Sequence, residues 1–369
     1  VEDLISFLVN ARLNRYNSLP MKALDFFCGA GGLTRGLLDA GIEVLAGIDI
    51  DDRLQETYQK NNEPSQFIAE DINEINIHQL RADLGITEDD VVLYAACCPC
   101  QPFSTLNRTK YDDQQRELLI SFGNLVAEAP PDLILVENVP GLNNAYGDEI
   151  YEAFLRQIEA VGFKRENMYA ELLDARDYGV PQVRKRFILL ASRHGKVVAP
   201  RRSPYKPKVR DVLKKYPRIA DGAKSKQFPN HETRRLQPHH KEIVKAVPKN
   251  GGSRRDIVNT SILLPCHQRN PTAHKDVFGR MAWDEPAPTL TGRCVEVYCG
   301  RFTHPRQNRG ISLREAAAIQ TFSDDYEFFG TFFQIAQQIG NAVPVRFSKA
   351  LGVAMQKSVT QPTLIRQGN

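Results

Sequence analysis

The 369-residue sequence has no apolar run approaching the roughly 18–20 residues that span a membrane, so no membrane partner is expected. It also lacks the marks of a secretory leader. The opening VEDLISFLVN carries Glu2 and Asp3 where a basic segment would stand, and no small-residue cleavage site follows. A short helical extension over residues 1–20 is the better expectation. No disulfide framework is evident: seven cysteines, an odd number, are scattered along the chain, which fits a reducing compartment and, by default, the cytoplasm. No internal repeat at a solenoid period and no low-complexity tract occurs. A structural zinc knuckle is missing too. Cys97 and Cys100 have ligand spacing, but prolines bracket Cys100, and Cys266, His267, Cys294 and Cys299 form no compact second pair. Redox exchange by the same two thiols would suit a thioredoxin-like domain, which the surrounding pattern does not resemble. No metal is expected.

The composition, 42% hydrophobic and 25% charged, is that of an ordinary soluble domain, and the net charge is only +4. The charge is unevenly spread. Residues 201–255 hold 17 Lys/Arg against four acids, or +13, so the remaining 31 Lys/Arg and 40 Asp/Glu carry −9. A basic block on an acidic body points to a polyanion, most simply nucleic acid; the alternative is a solvated surface. Tyr205, Tyr216 and Phe228, with Val209 and Val212, argue against a mere tail.

The first half alternates apolar strands with helical patterns. Strands are expected at 21–27, 42–50, 65–72, 90–97, 131–139, 167–173 and 186–192, and helices at 32–41, 51–61, 114–129 and 148–162. This alternation predicts an α/β fold with a doubly wound, mostly parallel Rossmann-like sheet. After about Ala199 prolines multiply, charge rises and periodicity weakens, which predicts a second, smaller irregular domain to about residue 308. Helical spacing returns in LREAAAIQTF (313–322) and again toward the C-terminus.

Glycines follow the first strand in DFFCGAGGLTRG. Gly29, Gly31 and Gly32 permit a tight turn and close approach of a ligand, although Thr34 occupies the third glycine slot of the dinucleotide pattern. Asp49 and Asp71 end the next two strands. They are either acids of a nucleoside-bearing cofactor pocket or simple helix N-caps. Cys97 and Cys98 continue an apolar strand and read as packing. Cys100 lies just past that strand's C-terminal end, where ligands bind in open α/β sheets, and could act as a nucleophile. Glu137 ends the next apolar strand. Gln182, Arg184 and Arg186 recur at period 2 ahead of another. Buried charge of this kind needs partners; an ion pair between Glu137 and one of the arginines, or exposed edge charges, would also account for it.

The motifs DFFCGAGGL, PCQPFS, ENV, QVRKR, RGISLREAAAIQTF and QIGNAVP occur in that order between about residues 22 and 355. Together they resemble the cytosine-C5 DNA methyltransferases, prokaryotic type. The resemblance implies S-adenosylmethionine as cofactor, with Phe27, Gly29 and Gly31 at its methionine end, Asp49 on the ribose, Asp71 with Ile50 and Ile72 at the adenine, and Asn341 and Ala342 closing the pocket. It implies Cys100 as the nucleophile on C6 of a flipped cytosine, Glu137 at N3 and Arg186 at the base oxygen. Arg184 would support a closing loop, Pro99 would offer its carbonyl to the exocyclic amine, and Gln101 and Ser104 would lie at the base or in the loop over it. Residues 21–199 and 332–369 would form the catalytic domain, 200–308 the target-recognition domain and 309–331 a connecting helix. Arg254, Arg255, Thr289, Arg293 and Arg301 would contact duplex DNA. A monomer acting beside a cognate restriction endonuclease is the expected setting. A tRNA methyltransferase and a catalytically silent DNA-binding regulator are the alternatives.

Overall fold

The computed structural model describes residues 20–99, 113–143 and 148–360. The expected N-terminal extension, residues 1–20, lies outside them except for Pro20. Seven strands form one mixed sheet: β1 (Lys22–Phe26), β2 (Glu43–Asp49), β3 (Gln66–Ala69), β4 (Val92–Ala96), β5 (Leu133–Asn138), β6 (Tyr169–Asp174) and β7 (Lys185–Ser192). Their order is β3-β2-β1-β4-β5-β7-β6. The pairs β1–β2, β2–β3, β1–β4 and β4–β5 are parallel, and β5–β7 is antiparallel. The expected α/β sheet is thus present, mostly parallel. The exception has a local cause. Only a short 3₁₀ turn and loop link β6 to β7, with no helical crossover to carry the chain back for a parallel return.

Helices α1 (Gly32–Asp39), α2 (Gln55–Asn61), α3 (Ile77–Asp83), α4 (Asp113–Glu128) and α5 (Asp148–Ala160) intervene between strands. In α1, Leu33 and Leu37 fall four apart and are both buried. The helix stops at Gly41, whose φ of 85° suits glycine, while Ile42 N–H closes onto the Leu37 carbonyl. Phe26 of β1 packs 5.4 Å from both Tyr94 of β4 and Phe122 of α4, and Phe122 stacks on Phe154 of α5 at 6.0 Å. All four rings are fully buried, and each such side chain stabilises the fold by ~1.5–3 kcal/mol.

The described residues form two compact units, one within the bounds 1–173, 185–202 and 347–369, the other comprising residues 174–184 and 203–346. The second unit therefore includes the segment expected as a connector and part of the one assigned to the catalytic domain. Hydrogen bonds explain this grouping: Gln320 Nε2 donates to the carbonyls of Ile339 and Ala342, and Gln182 Nε2 donates to Gln320 Oε1.

The second unit carries α6 (Val209–Leu213), α7 (Pro238–Ala246), α8 (Pro265–Arg269), α9 (Leu313–Ile319) and α10 (Phe332–Asn341); α11 (Val345–Thr360) starts at its end. Among its described residues, strand-type pairing is limited almost entirely to isolated bridges, with loop-to-loop backbone bonds around them. Buried guanidinium groups hold it instead. Arg280 donates to the carbonyls of Val247, Val244, His304 and Gln307 and to Asn308 Oδ1. Burial pushes its pKa down to about 10. In RGISLRE, Arg309 meets Glu315 through two 2.7 Å bonds. Glu315 also accepts from Ser312 N–H, closing a capping box at the start of α9.

Candidate active site

The sheet turns in opposite directions on either side of β1, toward β2 and toward β4, and such a switch point opens a crevice at the strands' C-terminal ends. Phe27, Gly29 and Gly31 lie there with φ of 58°, 55° and 82°. Left-handed backbone in succession turns the chain sharply from β1 into α1. A Cβ built on Gly29 would meet nothing within 4 Å, so the turn faces open space. Gly29 N–H donates to Asp49 Oδ2 at 3.0 Å, and Asp51 N–H donates to Asp49 Oδ1 at 3.1 Å. Burial raises the pKa of Asp49, while these N–H groups restrain the shift.

Ile50 follows with 70% of its surface exposed, unusual for an aliphatic residue at the end of a buried strand. Ile72 is buried, and Asp71 accepts from Asn73 N–H and Nδ2, each at 2.9 Å, in a local turn. Neither Asp49 nor Asp71 is a helix cap; Asp51 and Asn76 take that role. Cys28 is buried, which drives its thiol pKa well up and makes it a poor nucleophile.

Beneath the turn lies a hydrogen-bond chain not anticipated from sequence. Thr34 Oγ1 donates to Asp25 Oδ2 at 2.6 Å, meets Tyr58 OH at 3.0 Å, and Tyr58 OH meets Ser65 Oγ at 2.7 Å. Tyr58 reaches across β2 because Gly47 has no side chain; a Cβ there would come within 2.4 Å of the ring. Burial lifts Asp25 to a pKa of about 7. The sequence signal was present in the buried-strand position of Asp25.

Two strands along, Glu137 is 7% exposed at the end of β5. Its Oε1 lies 2.8 Å from Arg186 Nε on the adjoining β7, so these two are brought together, as an ion pair. Pro99 is exposed just beyond β4, at the same edge of the sheet. Cys100, Gln101 and Ser104 lie outside the described residues.

Arg184 is placed elsewhere. Fully buried in the second unit, it donates to the carbonyls of Leu290 at 2.9 Å and Gly340 at 3.2 Å, so its described role is to tie backbone together. Gly340 is required there, because a Cβ would fall 1.9 Å from the Thr291 carbonyl oxygen. Asn341 is exposed and Ala342 half-buried beside it.

A family model, C-5 cytosine-specific DNA methylase, matches residues 21–357. The chain belongs to this family. The methylase is 35% identical over 345 residues to the type II methylase M.HgiDII of Herpetosiphon aurantiacus, covering 91% of this chain and 94% of that one. It is 30% identical over 348 residues to the type II methyltransferase M1.HphI of Haemophilus parahaemolyticus, covering 93% and 88%. A solved DNA modification methyltransferase encoded within an E. coli prophage shares the fold at a TM-score of 0.68 and 22% identity, covering 92% of this chain and all of that one. The methylase is accordingly a DNA (cytosine-5-)-methyltransferase.

The arginines expected at DNA divide sharply. Arg254 is 1% exposed and donates to the Ala273 and His274 carbonyls. Arg301 donates to the carbonyls of Gly251, Gly252 and Arg280 and pairs with Asp276. Both bond to main-chain carbonyls of the second unit; Arg254 is enclosed by it, which removes it from the surface, whereas Arg301 keeps 25% of its side chain exposed. Thr289 Oγ1 donates to the Val183 carbonyl at 2.6 Å. Arg255 is exposed with one bond to the Thr272 carbonyl, and Arg293 is exposed beside Tyr298.

Proposed function

We propose that this methylase modifies a specific duplex DNA site within a type II system, as its relatives' names indicate for them, by covalent attack on a flipped cytosine. The observation that carries the reading is the Glu137–Arg186 pair at the C-terminal edge of the sheet, at the edge where the chain leaves β4 toward Cys100. The open glycine turn, the Asp49 carboxylate and exposed Ile50 fit S-adenosylmethionine: close backbone for the amino-acid end, an acceptor for ribose hydroxyls and an apolar surface for adenine. When bound, that cofactor supplies an electrophilic methyl group.

The Cys100 thiolate adds to C6 of the base, and the displaced electron pair builds up at C5. Glu137 supplies or holds the proton at N3, which keeps negative charge from accumulating on the ring. Arg186 exchanges its contact with Glu137 for one with the base oxygen. After C5 is methylated, loss of the C5 proton and departure of the thiolate restore the aromatic ring. The target base must leave the duplex stack for any of these contacts to form.

Duplex DNA carrying 5-fluorocytosine tests the reading, since fluorine cannot depart as a proton does. A covalent adduct that disappears in Cys100→Ala is expected. Failure of wild-type protein to form it on any DNA while forming it on tRNA would overturn the DNA reading.

A further inference from the structure

Resting on that reading, we propose that Arg234, braced by Glu296 and Phe333, reads a guanine of the target site, with Tyr298 and Arg293 completing the reading edge. Arg234 was not among the residues singled out from sequence. Its Nη1 donates to Glu296 Oε1 at 2.7 Å and reaches Tyr298 OH at 3.4 Å. Its guanidinium carbon lies 4.7 Å from the Phe333 ring centroid. Arg293 closes on the same phenol, 5.6 Å from the ring and with Nη2 at 3.4 Å from the hydroxyl. The His240 ring is 5.2 Å from that of Tyr298.

Charge and exposure separate base reading from phosphate binding. The Glu296 side chain is 2% exposed and that of Arg234 is 43% exposed. A buried carboxylate thus cancels much of the charge on an accessible guanidinium. Such a group gains little from phosphate, where the attraction is Coulombic and salt-sensitive, but keeps its directional donors. Among the described residues only Nη1 is committed to protein. The fork that matches guanine O6 and N7 remains, and stacking on Phe333 fixes its plane before DNA arrives. Little side-chain entropy is then lost on binding. Phe333, 45% exposed, explains itself as the platform for this guanidinium.

The test first maps the methylated site by bisulfite sequencing of DNA from cells expressing the protein. Wild-type and Arg234→Lys enzymes are then compared on that site and on duplexes in which each guanine in turn is 7-deazaguanine, which lacks the N7 acceptor. Lysine preserves the charge opposite Glu296, so this variant keeps the buried pair; unchanged thermal unfolding verifies that. A fall in kcat/KM of about 5- to 150-fold is expected. One 7-deazaguanine position should harm wild type and do no further harm to Arg234→Lys. Equal activity of the two enzymes, or strictly multiplicative losses at every guanine, would overturn the proposal. Absence of methylation and trapping by wild type would instead defeat the function itself.

Discussion

Asp25 should make the first unit less stable as pH rises through neutrality. Its carboxyl is completely buried, Oδ2 accepts from Thr34 and, among the described residues, Oδ1 has no hydrogen-bond partner. Folding therefore raises its pKa from an ordinary 3.8 to about 7. Between those values the folded state holds a proton that the unfolded state has released, so stability falls with increasing pH over that window and levels off above it. At about 1.4 kcal/mol per unit, the destabilisation reaches about 4 kcal/mol above pH 7, of which about 3 kcal/mol develops between pH 5 and pH 8. Asp25→Asn cannot ionise and removes that slope. Its amide can still bond Thr34, with a pH-independent offset of about 1 kcal/mol in either direction. Urea unfolding followed by circular dichroism at pH 5 and pH 8 provides the assay. The variant should gain about 3 kcal/mol on wild type between the two conditions. A difference that stays constant across that range would refute the argument, because it would mean Asp25 is ionised, or neutral, in both states alike.

Four other outcomes are expected. Glu137→Gln should retain S-adenosylmethionine binding by calorimetry and lose most turnover; full activity would remove Glu137 from the chemistry. Gly340→Ala should destabilise the second unit by ~1–3 kcal/mol or more, since its Cβ collides with backbone that cannot swing aside. Arg280→Met should cost several kcal/mol, at about 1–3 kcal/mol for each carbonyl left without a donor. The only tryptophan, Trp283, lies in that unit and reports both effects by fluorescence. Gly47→Ala should displace the Tyr58 ring and weaken cofactor binding while leaving the affinity for DNA unchanged, measured by separate titrations.

The strands of the sheet were legible to within two or three residues because runs such as LVENV and VVLYAA are buried on both faces and admit no other use. Glu137 and Arg186 stood out for the same reason: charge inside such a run needs a partner, and each proved to have the other. Helix α3 escaped notice because it is short and buries only Ile77. The direction of β7 depends on a missing crossover helix, which alternation alone does not reveal. Least legible were the arginines of the second unit. Arg254, Arg280 and Arg301 sit in a basic, proline-rich stretch that reads as a surface, yet they bond to main-chain carbonyls, and every residue has one. Arg184 and Arg186 are two apart in sequence, yet they belong to different compact units, which period-2 spacing alone does not reveal.

Arg184 and Gln182 grip the rest of their unit largely through main-chain atoms: the carbonyls of Leu290 and Gly340, and the N–H of Leu290. Such attachments do not depend on which side chains those residues carry. On the proposal that this unit reads the target, reading residues in the neighbouring loops can be exchanged during evolution, one target sequence giving way to another, while the anchorage persists. A laboratory graft of new specificity into residues 203–346 should respect the same rule by preserving Gly340 and the backbone path at 289–292, and can leave residues 174–184 untouched.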